Sequence, residues 1–502
     1  MEPVRPELPL RPRWPRQELA WVGVLCLLAA LHVFIYSAAL PFFNNVDEPA
    51  HFDTVVKYAH GEVPRRLEIY SAEMLRDVAL YNSRFYFGTN HSRELLPPPW
   101  TWPAKQQAAW IAAESPASPG TNVESSQPPL YYTYAASWWR LGGRLGIGEG
   151  NRLYGLRFLN IPVVMLVVWL GWLAARHVFP EKPFRCLGVP AFIAVMPQSA
   201  FYAIQNDVLS PLFFGIAFLG LLRFWTASIP GPGLGLVTGL ALAAAFLTKS
   251  TNIFPGITIL VLLALLARHF SQSGRLRESL PSFFTLVVCA GLPALAWMTW
   301  CKINFGDLTG SQPKAQFWSW TPKPLLQWWH HPIFTPHGAA KFLDHFLPQF
   351  WQGELVWHLH PLSFRLADWI YTIATIGLLG FALVKMTLQP ASVSRSQCQA
   401  LWMSFSIFAS AAAFLVFISI AFDFHDSPYP TPESPYLYCG RQALAALIPF
   451  MLLFVSGLDN LSERFPDRVK FIILGALLLL ILSVEAASNW PAFADPYNWF
   501  HL

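Results

Sequence analysis

"LAWVGVLCLLAALHVFIYSAALPFFNNVDEPAHFD" runs from Leu19 to Asp53 and joins two opposite chemistries. The part from Leu19 to Leu40 is apolar over the length a helix needs to cross a bilayer, about 20 residues. It exceeds the apolar core of a signal peptide, about 7–15 residues, and Pro41-Phe42-Phe43 makes a poor cleavage site, so it predicts a retained first span. Directly after it come two adjacent acids and a histidine, Asp47, Glu48 and His51. An exposed loop carries such residues at no cost. Their meaning depends on which side of the membrane they face and on what faces them.

The rest of the chain repeats the first pattern. Of 502 residues, 54% are hydrophobic and only 13% are charged, and the mean hydropathy is +0.38. A soluble domain carries about 25% charge. Further apolar runs near 20 residues predict an all-α polytopic membrane protein. The 22 tryptophans and 43 prolines suit membrane interfaces, helix ends and structured loops. The net charge of +5 needs no nucleic acid as partner, because the basic residues sit largely between apolar runs. The six cysteines show neither CxxC nor Cys/His zinc spacing and predict no disulfide.

About eleven spans are expected, near 20–41, 155–175, 187–204, 208–226, 233–248, 253–269, 280–302, 366–388, 401–421, 441–458 and 470–488. Residues 1–18 form a Pro- and Arg-rich tail, and 19–502 a single transmembrane domain. Short cytoplasmic loops carry excess Lys and Arg. With the tail cytoplasmic, the inner loops hold Arg176, Lys182 and Arg185, then Arg268, Arg275 and Arg277, then Lys385 and Arg395, then Arg464, Arg468 and Lys470. Loop 422–440 carries Asp423, Asp426 and Glu433 and no Lys or Arg. The outer face then owns two long segments, 42–154 and 303–365. Within the first, Gln127–Gly143 is short for a span and would reverse every later loop if it crossed. It is expected to lie on the outer surface as an amphipathic helix started by Pro128-Pro129.

On that face the sequence collects Asp47, Glu48, His51, Asp53, Gln205-Asn206-Asp207, Lys249-Ser250-Thr251, Lys302, Asp307, Glu354, His358, His360, Asp423 and Arg441. Lys249 sits between two apolar runs and Arg441 opens another, where an unpaired charge is costly. Cations facing a carboxylate suit a phosphate headgroup beside a base. Blander roles stay open. Lys and Arg at span ends also snorkel to headgroups, and Asp207 also suits a helix N-cap. Loop histidines 330, 331, 337, 345, 358 and 360 read as solvated, and Asn90-His91-Ser92 matches a glycosylation acceptor pattern.

The order of motifs resembles the GT-C superfamily of membrane glycosyltransferases, which includes protein O-mannosyltransferases and lipid A aminoarabinose transferases. The matching elements are "DEPAHF" (47–52), "QPPLYYTYAASWWRL" (127–141), "GLRFLN" (155–160), "AARHVF" (174–179), "QNDVLSPLFF" (205–214), "FLTKSTNIFPG" (246–256) and "GRQALAALIPF" (440–450). "FWQGELVWHL" (350–359) resembles the aromatic-acidic outer loop of a bacterial branch. "GRQ" stands where "GRY" is commoner, so no role passes to the aromatic.

The resemblance implies a GT-C-type bundle and an inverting transfer from a polyprenyl-phosphate sugar donor. Asp47 becomes the catalytic base and Glu48 its partner. His51, Asp207, Lys249, Arg441 and Glu354 become substrate contacts, Lys249 and Arg441 to the lipid phosphate. The Asp-Glu pair leaves a divalent cation open, as the family includes metal-independent members. The expected setting is a bacterial inner membrane with the site facing outward, since no retention signal ends the chain. A transporter or flippase of a lipid-linked substrate is the alternative. Against it stand the long outer loops, the lack of an inverted repeat and the lack of an acid in mid-span.

Overall fold

The computed structural model describes residues 15–43, 45–83, 96–114, 120–357, 360–388 and 394–502. Most of the tail 1–18, the Asn90-His91-Ser92 pattern and His358 lie outside them. Helix α1 (Arg16–Ala39) ends where Pro41 removes a backbone donor. The first long segment then folds into α2 (Glu48–His60), α3 (Ala72–Tyr81), α4 (Ala104–Glu114) and α5 (Pro129–Arg144). A short antiparallel ribbon, β1 (Glu68–Ile69) with β2 (Thr121–Asn122), ties its two halves together. The stretch expected to become helical after Pro128-Pro129 is helix α5, with Pro129 in its first turn.

The chain returns through α6 (Glu149–Phe158) and α7 (Asn160–Val178), then α8 (Pro183–Ala194), α9 (Ser210–Thr226), α10 (Pro232–Thr248), α11 (Ile253–Gln272) and α12 (Leu276–Phe305). The second long segment holds α13 (Gln312–Phe317), β3 (Thr321–Pro322), α14 (Pro336–Gln352) and the hairpin β4 (Val356–Trp357) and β5 (His360–Pro361). Then come α15 (Arg365–Leu388), α16 (Arg395–Ala421), β6 (Phe422–Asp423), α17 (Leu447–Leu461) and α18 (Asp467–Phe493).

The expected all-α polytopic architecture is present, with a different inventory of spans. Among the described residues nine helices are long and apolar enough to cross a membrane, and α8 and α10 are shorter apolar helices. The span expected at 187–204 stops at Ala194. Pro190 lies inside the helix and Pro197 just beyond it, and the chain continues as a 3-10 turn at Ser199–Phe201.

Packing explains which helices are central. In the span Gly440–Leu461, which contains α17, 89% of the apolar 18-residue stretch is buried, against 17% in α12, which presents Phe284, Val287 and Leu292 outward. Lipid is as apolar as leucine, so close backbone approach rather than water exclusion joins such helices. Gly235 and Gly239 of α10 show this: a Cβ there would meet the carbonyl oxygens of Ser282 and Leu286 on α12 at 2.1 and 2.5 Å. The long loops gather at one end. Strand β3 pairs with β6, and Asn45 bridges Leu355.

Candidate functional site at the loop-rich end

The turn that carries Asp47 is built from below by the "QND" triplet. Gln205 Nε2 donates to Asn45 Oδ1 at 3.0 Å and to the Val46 carbonyl at 2.5 Å. Asn45 Nδ2 donates to the Ser199 carbonyl at 3.0 Å. Asn206 Nδ2 reaches the Thr248 carbonyl at 3.1 Å, fixing the neighbouring turn that bears Lys249. Asp47 itself adopts φ +64°, a left-handed conformation that Asp and Asn tolerate better than other non-glycine residues. Strain of this kind persists only where the surroundings impose it.

Four residues remote in sequence meet above this turn. Arg441 Nη2 donates to Asp47 Oδ2 at 2.6 Å. Its Nε lies 2.8 Å from Glu354 Oε2 and its Nη1 lies 3.7 Å from Asp207 Oδ2. Lys249 Nζ donates to Asp207 Oδ1 at 2.5 Å. Lys249 and Arg441 therefore turn inward to carboxylates rather than out to headgroups, and Asp207 is an ion-pair partner rather than an N-cap. The 3-10 turn of Gly440–Ala446 buries Arg441, whose side chain is 5% exposed, while that of Asp47 is 31% exposed.

All of these but Asp207, which lies buried behind Lys249 and Arg441, border a cavity of about 580 Å³, lined by Asp47, His51, Lys249, Glu354 and Arg441. The same wall brings in Glu124 and Lys314, which the sequence reading did not select. They form a close ion pair. Glu124 stands just before "QPPLYY", and Lys314 follows a turn in which Asp307 accepts from the backbone of Thr309, Ser311 and Gln312. An isolated charge in a long polar loop gives no signal by itself. Proximity to a surface-helix start is the one cue that pointed toward Glu124. The cavity is otherwise walled by Trp318, Trp320, Tyr429 and Tyr438, and by Phe414 and Ile418 of α16.

Electrostatics in the cavity follow from these pairings. Burial pushes the Asp47 carboxyl up, but Arg441, Lys314 and His51 outweigh it and hold the group well below the usual carboxylate range. Glu124 is likewise lowered, burial being outweighed by Lys314, and Lys314 is raised by Glu124 and Asp47 against its own burial. Burial lowers His51 despite the acids around it. Its Nδ1 lies 2.7 Å from the Tyr132 hydroxyl.

Glu48 lies away from the cavity. Its side chain is fully buried and accepts from Arg157 Nε and Nη2, both at 2.8 Å, from Phe43 N at 2.8 Å and from Ile204 N at 3.0 Å. Arg157, from the "GLRFLN" motif, also donates to the carbonyls of Ser37, Leu40 and Pro41. This lattice fixes the exit of α1 against the start of α2. Asp53 is equally structural, accepting from Ser71 N and Asn122 Nδ2 at 2.7 Å and pairing with Lys57. Lys302 caps Gly306, and Asp423 pairs with Lys323, both away from Asp47. His331, expected to be solvated, is buried with Nε2 2.9 Å from the Pro435 carbonyl.

The residues present do not converge on a cation. Asp47 faces Arg441 while the Glu48 carboxylate is enclosed by Arg157 and backbone amides, and the described residues contain no group of three or more His, Cys, Asp or Glu set to hold a metal.

No curated protein matches the sequence. Among solved structures, the chain is similar to ArnT from Cupriavidus metallidurans bound to undecaprenyl phosphate, at 14% identity and a TM-score of 0.44, over 94% of this chain and 64% of that one. It is also similar to the Archaeoglobus fulgidus oligosaccharyltransferase in the apo form, at 12% identity and a TM-score of 0.35, over 95% of this chain and 56% of that one. The chain thus spans less than two thirds of the length of either. By sequence, with residues 26–423 matched, it belongs to the family described as predicted membrane protein DUF2142.

Proposed function

We propose that the protein is a membrane glycosyltransferase of the GT-C type, moving a sugar from a polyprenyl-phosphate donor to an acceptor hydroxyl at the outer face of the membrane. The observation that carries this reading is the cavity wall on which the Asp47 carboxylate and the Arg441 guanidinium meet at 2.6 Å, with Lys249 and Lys314 beside them. A base next to clustered cations is what displacement of a lipid phosphate needs. The outward orientation rests on the excess of Lys and Arg in the short loops of the opposite face.

In this reaction Asp47 takes the proton of the acceptor hydroxyl. The acceptor oxygen forms its bond to the anomeric carbon, with inversion, as the bond from that carbon to the phosphate oxygen breaks. The polyprenyl phosphate leaves with the electron pair. Arg441, Lys249 and Lys314 neutralise the charge that grows on it, an effect that counts for more in a water-poor cavity than in water. Asp47 is ionised before substrate arrives, but its bond to Arg441 makes it a weak base. A phosphate that draws Arg441 toward itself frees Asp47 and restores its basicity. The phosphate is already a fair leaving group, so positioning supplies much of the rate. Glu48 acts at one remove, as a positioning residue that holds the Asp47 turn through Arg157. Phe414 and Ile418 give the lipid tail an apolar entry from the bilayer.

The test is release of polyprenyl phosphate from a panel of lipid-linked sugars by wild type and Asp47→Asn. Asn keeps the left-handed turn and removes the base. Release by wild type that falls about 10²–10⁴-fold in a folded variant supports the reading. Equal release by both removes Asp47 from the mechanism. Binding of donor without release by either favours the transporter alternative.

A further inference from the structure

The long segment between α12 and α15 contains "PLLQWWHHPIF" (324–334), which folds as a 3-10 helix over Leu325–His330 and a further 3-10 turn over Pro332–Phe334. In a 3-10 helix residues i and i+3 eclipse, so the side chains sort into three faces. Gln327 and His330 form one, and they line a polar cavity together with Lys323, Asp423 and His425. Leu325 and Trp328 form the second. Trp328 packs edge-on against Phe417 of α16, ring centroids 5.7 Å apart, and its indole N–H donates to the Lys323 carbonyl at 3.1 Å. Leu326 and Trp329 form the third, which is open: they are 83% and 73% exposed. Leu325, 69% exposed, lies beside them, and the Phe334 ring meets that of Trp329 at 5.5 Å. A contiguous exposed apolar patch of this kind marks an interaction surface.

The place of the patch in the bundle selects its occupant. Strand β3, just before it, pairs with β6 at the end of α16, and Lys323 N donates to the Ala421 carbonyl at 2.8 Å. The 3-10 helix is thereby fixed alongside the last turns of α16. Phe417 is itself exposed there, as are Trp369 and Trp490, each about one turn from the same end of α15 and α18. Exposed tryptophans at one level of a transmembrane bundle mark the boundary between hydrocarbon and headgroups. The patch continues the lipid-facing surface at that level, while the opposite face of the same helix borders a polar cavity. This is the division of an amphipathic segment that lies in the plane of a membrane.

We propose that residues 324–334 are an interfacial membrane anchor. Leu325, Leu326, Trp329 and Phe334 sink among the acyl chains of the leaflet at the loop-rich end, and Gln327 and His330 stay toward water. The occupant is bilayer phospholipid, and the anchor does not depend on the transferase reading. Through Trp328 it braces Phe417, the neighbour of Ile418 in the wall of the Asp47 cavity.

Photo-crosslinking of the full chain, reconstituted in vesicles of phosphatidylethanolamine and phosphatidylglycerol, tests the anchor. The crosslinking residue p-benzoylphenylalanine is placed singly at Leu326, Trp329 or Gln327, and at Trp369 as the lipid-facing reference. All four side chains are exposed or partly exposed, and thermal unfolding confirms that each chain is folded. The expected result is a mass gain of one phospholipid at positions 326, 329 and 369, and loss of that adduct at 327. A folded chain that takes lipid at 369 but not at 326 or 329 overturns the proposal. So does equal lipid capture at 326, 329 and 327, which would deny the division of faces. Crosslinked dimers at 326 and 329 in place of lipid adducts overturn it too, and would assign the patch to a second copy of the chain.

Discussion

Arg441 Nη2 lies 2.6 Å from Asp47 Oδ2, across 394 positions of sequence, and joins the loop after the first span to the start of one of the last. The same guanidinium reaches Glu354 and Asp207, so one buried cation faces three carboxylates. Arg is suited to this because its planar fork presents several donors at once, and Lys does not reproduce it. Arg441→Lys is expected to keep the fold and lower kcat by about 10²–10³, the loss typical of one charge-stabilising donor. Steady-state release of polyprenyl phosphate checks this. Unchanged kcat with raised donor KM would assign Arg441 to uniform binding instead.

Lys249 and Asp207 are nearly excluded from solvent, at 8% and 1% side-chain exposure. Removing Lys249 leaves the buried Asp207 carboxylate with Arg441 Nη1 alone, at 3.7 Å, so the cost approaches but does not reach the about 3–5 kcal/mol of a wholly unpaired buried charge. Lys249→Met should therefore lower the unfolding midpoint strongly, and Lys249→Met with Asp207→Asn should recover part of the loss. A double-mutant cycle on thermal unfolding in detergent measures the coupling. Additive effects would mean that the pair is not a unit.

Glu48 should separate from Asp47 in kind. Glu48→Gln weakens a carboxylate that accepts four donors, so the loss should fall on stability, by about 3 kcal/mol, and on activity only through the position of the Asp47 turn. Arg157→Met should match it. Thermal unfolding compared with kcat at a temperature where the variants are folded tells the roles apart. A folded Glu48→Gln enzyme as inactive as Asp47→Asn would contradict the positioning role.

The sequence singled out Lys249 and Arg441 because an ionisable side chain at the edge of an apolar run is costly enough to need a partner, and Asp47 only through the resemblance of "DEPAHF". It could not say which partner. Lys249 and Arg441 read equally well as snorkelling residues, and only the bundle brings them to Asp207 and Asp47. Glu124 and Lys314 stayed hidden because a charge in a long polar loop costs nothing where it stands. Glu48 was read beside Asp47 because adjacency in sequence suggests a shared role. At the start of a helix, adjacent side chains diverge, and here they point to different partners. The missing length of the third expected span follows from Pro190 and Pro197, which a hydropathy window averages away.

Low pH should expose the Asp47–Arg441 pair. The folded-state carboxyl is held below its unfolded value, so the stability it adds is fully present above about pH 4, the ordinary carboxylate range, and is lost as pH falls through the lower folded value. The stability difference between wild type and Asp47→Asn should be flat from neutral pH to about pH 5 and shrink below about pH 4. The partial exposure of Asp47 keeps the effect modest. Unfolding midpoints across acidic buffers check it. A difference that grows on acidification would reverse the assignment.

Asp77 should behave in the opposite sense. Burial and the charge of Glu149 outweigh Arg76 and push its carboxyl up to about 8, and its Oδ2 has no hydrogen-bond partner. The folded chain therefore binds a proton there that the unfolded chain releases near pH 4. Stability from this group is full below the unfolded value and declines as pH rises toward about 8. Asp77→Asn replaces the acid by a neutral isostere and removes that decline. The variant should unfold close to wild type at about pH 5 and above it at about pH 9, so the gap should widen with pH. Unfolding midpoints at the two pH values decide it. A gap that stays constant, or that favours wild type in alkali, would mean that Asp77 is ionised and paired with Arg76 throughout.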